Sequence, residues 1–318
     1  MTASTSPTGR LRKFIPQPDR YAELHGNFTL TPRDLEILAI VHRYRYLEAR
    51  HIRALVPGSG QQITRRLQGL FHNGYVGRFL PPQRMRLDLE QGAPLIAYGL
   101  ELAGARALAA AGPVVAGLNG SEKNTVNWNK AQTRRTEWFL RHSVMLSNFR
   151  CALELATRAD AETDLLNWEQ GVLRNGTRTA DDGRKRAVRI APDAYFTLRR
   201  AGKTRHAFLE VDRSTEELDR LKAKYVNYWW YLQSLEFLST VDPVDTAVVL
   251  FVTTGRMRLA NMMSTLRNLQ KPNRARRVKR GAFWFCLDSD CGLGDPQSNL
   301  GPVWRTVNTS DERYSLRS

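Results

Sequence analysis

The chain has 318 residues, with 48 Lys and Arg against 31 Asp and Glu, a net charge of +17 and a pI near 10.3. Hydrophobic content of 42% and aromatic content of 9% exclude a wholly disordered chain, and the length allows two domains, each with its own core. Residues 1–112 carry 15 Lys/Arg against 8 Asp/Glu and the remainder is basic as well, so the excess is not one tail and points to a polyanion, most naturally nucleic acid.

Three cysteines, Cys151, Cys286 and Cys291, make neither a disulfide framework nor a paired C-x-x-C site, which points to a reducing compartment. The N-terminal stretch MTASTSPTGRLRKF has no apolar core, and no apolar run reaches the roughly 18 residues that span a bilayer. A cytoplasmic protein with no membrane partner is expected.

After a basic tail over residues 1–29, residues 30–112 show three helical patterns. Thr31 suits an N-cap, Pro32 the first helical position and Asp34 the first turn, followed by Leu35, Leu38, Ile40 and Val41 at helical spacing. A short second pattern runs from Leu47 to Leu55. A third, from about Gln61 to Phe71, turns Ile63, Leu67, Leu70 and Phe71 inward. Strands are predicted at Tyr75 to Leu80 and in PLIAYGL, before the Ala-rich ELAGARALAAAG. Three helices and a β-ribbon make the winged form of the helix-turn-helix, whose third helix would offer Gln62, Arg65, Arg66 and Gln68 to a major groove of double-stranded DNA. The plain alternative is a small helical domain with a solvated charged face, or one that contacts protein.

Residues 113–130, rich in Gly and Asn, read as the linker to a second domain over residues 131–290. One long helix is expected over 131–158, a strand at Asp164–Leu173, and a basic turn, DDGRKR. Two strands at about 187–198 and Arg205–Asp212, joined through AGKT, form an antiparallel hairpin. Ser214 with Glu217 reads as a capping box opening a helix through LDRLKAKYVNYWWYLQSLEFL. A strand in DTAVVLFVT, a helix in RMRLANMMSTLRNL and a strand in GAFWFCLD follow, and residues 291–318 read as a tail. The class is α/β (α+β), a mixed-sheet layered domain with the order α-β-β-β-α-β.

Glu210 and Asp212 stand two apart on a strand and so share a face, and Asp193, near the middle of the preceding strand, can lie beside them. Clustered carboxylates invite a cation, and hard oxygen donors suit Mg2+ or Mn2+ for phosphodiester hydrolysis. Lys222 and Lys224 on the next helix can steady developing negative charge. Alternatively, these carboxylates are turn and helix-start chemistry.

Pro192-Asp193 followed by Glu210-Val211-Asp212 in this element order resembles the restriction-endonuclease-like, or PD-(D/E)xK, fold. With a winged helix in front, PDAYF and FLEVDRSTEELDRLKAKYVNY resemble the plasmid replication-relaxation family, over roughly residues 30–290. The resemblance implies Asp193 and Glu210 as metal ligands, the Val211 carbonyl contributing, Glu137 as a further acid, and a catalytic set of Asp193, Glu210, Asp212 and Lys224. The nuclease motif ends in Lys where this chain has Asp212, so a lysine displaced onto the helix has to substitute. Two alternatives stand beside a nuclease: a non-catalytic DNA-binding accessory or regulator whose second domain is a scaffold, and a dimeric repressor. Replication or conjugation proteins and a second copy of the chain are further expected partners.

Among the remaining residues, His142 reads as a hydrogen-bonded or core histidine, His206 has no obvious partner, and Cys286 reads as core with Cys291 an incidental thiol. Tyr228, Trp229, Trp230 and Tyr231 are either core or base-stacking residues. Arg276, Arg277, Lys279 and Arg280 in NRARRVKR, and the DDGRKR turn, are candidate phosphate contacts.

Overall fold

A computed structural model describes residues 28–79, 96–112, 136–180, 182–213, 217–269, 280–308 and 312–317. The linker over 113–130, Ser214, Arg276, Arg277 and Lys279 lie outside the described residues, as does most of the 1–29 tail. The chain divides into two compact units, residues 1–140 and 141–318.

The first unit opens with helix α1 (Pro32–Tyr44). Thr31 caps it, accepting from the Asp34 N–H, while Asp34 accepts from the Thr31 N–H and hydroxyl, both at 2.7 Å. Strand β1 (Tyr46–Glu48), helix α2 (Ala49–Leu55) and helix α3 (Gly60–His72) follow. Strands β2 (Val76–Phe79) and β3 (Ala97–Leu100) lead to helix α4 (Leu102–Ala111). The three strands form an antiparallel sheet in the order β1-β3-β2. The second pattern is thus not wholly helical: Leu47 pairs with Tyr98 in the sheet, and the helix begins two residues later. Leu38, Val41, Leu47, Ile52, Ile63, Leu67, Val76 and Leu108 are fully buried, each stabilising by about 1.5–3 kcal/mol relative to exposure.

The second unit contains most of α5 (Glu137–Arg158), then β4 (Thr163–Gln170), β5 (Arg174–Thr179), β6 (Lys185–Ile190), β7 (Ala194–Arg200) and β8 (Lys203–Asp212). Helices α6 (Leu218–Tyr231) and α7 (Leu235–Leu238) precede β9 (Thr246–Thr253), helix α8 (Arg256–Asn268) and β10 (Phe283–Leu287). The sheet has the order β10-β9-β8-β7-β4, with β8, β9 and β10 mutually parallel and β7 antiparallel to both of its neighbours. The fold is mixed α/β. Strand alternation splits its core in two. Ala207, Leu209 and Val211 of β8 join the cluster containing Phe149 and Leu153 of α5, whereas Phe208 joins that of Tyr225, Tyr228 and Trp229 of α6 and Met262 of α8.

Three further expectations are corrected. The strand expected over 187–198 is two strands: β6 pairs with β5 in a separate two-stranded sheet, and the chain breaks at 191–193, so that Asp193 directly precedes β7. Pro192 lacks the N–H a ladder needs, which accounts for a break there. The β7–β8 hairpin does form, turning at Ala201 and Gly202 with φ of 49° and 77°. The described part of helix α6 has Glu217 at its N-cap position, with no side-chain cap hydrogen bond, and stops at Tyr231; the expected Ser214 cap lies outside the described residues. Residues 291–308 and 312–317 are no tail: Leu300, Trp304 and Leu316 are buried in the α5-side core, and Arg305 exchanges two backbone hydrogen bonds with Phe285 at 2.9 Å. Of the two readings left open for Tyr228, Trp229, Trp230 and Tyr231, the structure takes the core one: all four are buried, with Trp229 5.6 Å from Phe283 edge to face, and none is available to stack on bases.

Candidate functional site

Pro192-Asp193 leaves Asp193 at the start of β7, beside the end of β8. Its Oδ2 accepts from the Val211 N–H at 2.7 Å, and the Asp193 carbonyl accepts from the Gly171 N–H at 3.1 Å. The Val211 N–H thus fixes the orientation of the Asp193 carboxylate. Asp193 Oδ2 also lies 3.2 Å from His142 Nε2 on α5, within the second unit. Burial pulls the His142 pKa down, but the hydrogen bond and charge of Asp193 more than offset it, and the net shift is upward.

Glu210 projects from β8 to the opposite face from Val211. Lys224 Nζ donates to Glu210 Oε2 at 2.9 Å, and the Tyr228 hydroxyl donates to Glu210 Oε1 at 2.5 Å. Lys224 and Tyr228 stand four apart on α6, so one helical face brings both to a single carboxylate. Burial pushes the Glu210 carboxyl up to about 7; Lys224 opposes this and the charge of Asp193 adds to it. Burial and the neighbouring Glu210 hold the Tyr228 pKa well above its ordinary value, so Tyr228 stays protonated as a donor.

Asp212 shares the Glu210 face, as its spacing requires, yet its partner is different. Arg258 Nε of α8 donates to Asp212 Oδ2 at 2.6 Å, and both side chains are nearly buried. The negative charge expected to burden the site is neutralised within the core. Lys222 points elsewhere: it pairs with Asp219 at 2.9 Å on the exposed side of α6. Of the two helical lysines, Lys224 alone reaches the strand carboxylate. Glu137 is the first residue of α5, and its side chain lies outside the described residues.

On α3, Gln62 and Arg65 are exposed and Gln68 half-buried. Gln62 Oε1 accepts from Arg33 Nη1 at 3.0 Å. Arg66 does not match the outward reading. Its guanidinium pairs with the buried Asp34 carboxylate, donates to the Thr29 carbonyl at 3.0 Å, and lies 4.4 Å from the Phe28 ring centroid. Burial alone would raise the Asp34 pKa, but Arg66 and Thr31 outweigh it and hold the carboxyl low. Arg280 opens a single 3-10 turn before β10, and its side chain lies outside the described residues.

Three partners had no clear sequence signal. His142 interrupts the apolar side of α5, a weak hint that its spacing supports in retrospect. Arg258 had none, because nothing local links α8 to β8. His206 has a partner after all, the Tyr195 hydroxyl at 2.7 Å from Nδ1, with Asp245 3.5 Å from Nε2. Cys291 is likewise not incidental but buried, its sulfur 2.9 Å from that of Cys286.

No curated protein and no solved structure gives a match. A family model described as replication-relaxation matches residues 38–239, more than half the chain and a span that holds both α3 and the Asp193–Glu210–Lys224 grouping. By that match the chain belongs to the replication-relaxation family.

Proposed function

We propose that the chain is a DNA-binding protein of plasmid replication or relaxation whose second unit hydrolyses phosphodiesters with Mg2+ or Mn2+. Family membership supports the biological setting. One observation carries the chemistry: Lys224, from the helix after the second hairpin strand, meets Glu210 at 2.9 Å while the charge of Asp193 acts on the same carboxyl. Acid, acid and lysine are the three parts of a PD-(D/E)xK-type site, with the lysine moved from strand to helix.

The donor set is compatible with the cation. Asp193 and Glu210 are hard oxygen donors, and Mg2+ is commonly held by one or two carboxylates with substrate phosphates and water completing its shell. Among the described residues there is no group of three His, Cys, Asp or Glu side chains able to hold a metal ion, so the fit is to a cation shared with substrate rather than a closed protein cage. Bound there, the cation would polarise a phosphate and lower the pKa of a water. Lys224 would turn from Glu210 to a phosphate oxygen and offset charge building in the transition state. Tyr228 would keep Glu210 in one orientation, and the Val211 N–H and His142 would do the same for Asp193.

In the same reading, the first unit is a winged helix. The α-β-α-α-β-β arrangement with an antiparallel three-stranded sheet supports it, and the exposed Gln62 and Arg65 of α3 would face a major groove. A second reading, a DNA-binding scaffold without cleavage, is favoured by the fact that both Glu210 oxygens already have protein partners.

Supercoiled plasmid incubated with the protein in Mg2+, Mn2+ or EDTA separates the two. Metal-dependent conversion to open-circular or linear DNA, lost in Asp193→Ala and Glu210→Ala, is expected. Intact plasmid in every metal, with DNA still retarded in a gel, would leave the scaffold.

A further inference from the structure

The two-stranded sheet of β5 and β6 stands apart from the main sheet, and nothing in the site chemistry uses it. Residues 174–190 hold six Lys/Arg against two Asp. Register places Arg174, Gly176, Arg178, Arg186, Val188 and Ile190 on one face. That face is anchored. Val188 and Ile190 are buried in the α6-side core, Arg178 lies 5.0 Å from the Trp230 ring centroid, and a Cβ at Gly176 would meet Ser234 Oγ at 2.8 Å.

The opposite face carries Asn175, Thr177, Thr179, Lys185, Ala187 and Arg189, every one exposed and none acidic. Arg189 Nε donates to Asn175 Oδ1 at 3.2 Å, which orients the guanidinium across the strands. Among the described residues two carboxylates lie nearby, and both are engaged. Asp182 accepts from the Arg184 N–H and from Arg186 in the turn, and Glu236 accepts from the Thr177 N–H and hydroxyl. By capping the outer N–H of β5, Glu236 also blocks strand addition at that point, which argues against a β-strand partner.

The root of this ribbon is the candidate site. β6 ends three residues before Asp193, and Gly171, whose N–H bonds the Asp193 carbonyl, lies three residues before β5 begins. Six residues per strand extend about 20 Å from that root.

We infer that the outward face of the β5–β6 ribbon is a sequence-independent contact for the sugar-phosphate backbone of duplex DNA, with Lys185 and Arg189 as its charges and Thr179 and Asn175 as neutral polar groups. The ribbon holds the flank of the strand that lies at Asp193 and Glu210. This rests on the nucleic-acid reading above and adds to it a surface independent of α3.

The test measures affinity for a short duplex by fluorescence anisotropy from 50 to 300 mM NaCl, using the full chain in EDTA. Wild type is compared with the Lys185→Ala/Arg189→Ala double variant, and thermal unfolding is followed in parallel. Removing two phosphate contacts should lower the slope of log K against log salt by about 1.8 and weaken binding at 100 mM roughly tenfold or more, equally for unrelated duplexes. Melting should not change, because both side chains are exposed. An unaltered slope in the variant, with wild type binding normally, overturns the ribbon and leaves the DNA-binding reading intact. Wild type that binds no duplex overturns both. Equal binding of polyglutamate and duplex by wild type overturns the assignment of phosphate as the partner.

Discussion

Lys224 and Glu210 are fourteen residues apart in sequence and 2.9 Å apart in space. The contact joins the C-terminal end of a buried strand to the second turn of the following helix and gives a buried strand carboxylate its cation. If that ammonium neutralises phosphate charge during hydrolysis, Lys224→Met should reduce metal-dependent plasmid nicking by about 10²–10³ with melting nearly unchanged. Lys222→Met, remote from Glu210, should nick at the wild-type rate. Equal rates for both variants would remove Lys224 from the chemistry.

Glu210 is held at a cost. Its carboxyl is pushed up to about 7 by burial, so ionising it at neutral pH costs more in the folded state than in the unfolded one. Glu210→Gln should therefore melt at or above the wild-type temperature in EDTA, while losing cleavage. A clear fall in melting temperature would mean that the Lys224 and Tyr228 contacts outweigh the burial.

In the proposed nuclease reading Asp212 stands where the motif has lysine, and placing a lysine there should not improve cleavage. Arg258 is nearly buried against Asp212, and Asp212→Lys would set two cations together in the core. A loss of about 3–5 kcal/mol in urea unfolding is expected, with no gain in nicking. Faster nicking by a stably folded Asp212→Lys protein would show that Lys224 is not the substitute.

In the first unit, Asp34 is fully buried against Arg66. Its lowered pKa means that the stabilisation is complete above the unfolded-state value near 3.8 and drains away as pH falls through the lower folded value. Arg66→Ala should cost about 2 kcal/mol at pH 7 and should flatten the stability profile below pH 4. It should also weaken DNA binding only as far as it unfolds the unit, whereas Arg65→Ala should weaken binding with no change in melting. Equal binding losses at equal stability would return Arg66 to the DNA face.

Trp304 is fully buried against Phe149, with ring centroids 6.1 Å apart, although it belongs to a stretch that reads as a tail. Trp304→Ala should destabilise the second unit by about 3–5 kcal/mol, and a chain ending at residue 290 should expose that core and bind a hydrophobic dye. A truncated protein melting like wild type would contradict the placement.

The sequence by itself determined the features that depend on neighbours along the chain. Thr31, Pro32 and Asp34 start a helix because a cap is made within four residues, and Ala201-Gly202 turns a hairpin because its two strands are adjacent. Alternation likewise put Glu210 and Asp212 on one face of β8. Tertiary structure alone decided the partners. Two carboxylates two residues apart meet different cations, Lys224 from α6 and Arg258 from α8, because two separate helices cover successive positions of one strand. Arg66 has the outward spacing of its neighbours Gln62 and Arg65, yet a buried carboxylate 32 residues earlier holds it, since an unpaired Asp34 in the core would cost more than a solvated arginine gains. The same holds for residues 291–308: with few regular elements they look like a tail, and what makes them core is the fully buried Trp304, which packs on Phe149 more than a hundred residues upstream as well as on Trp284.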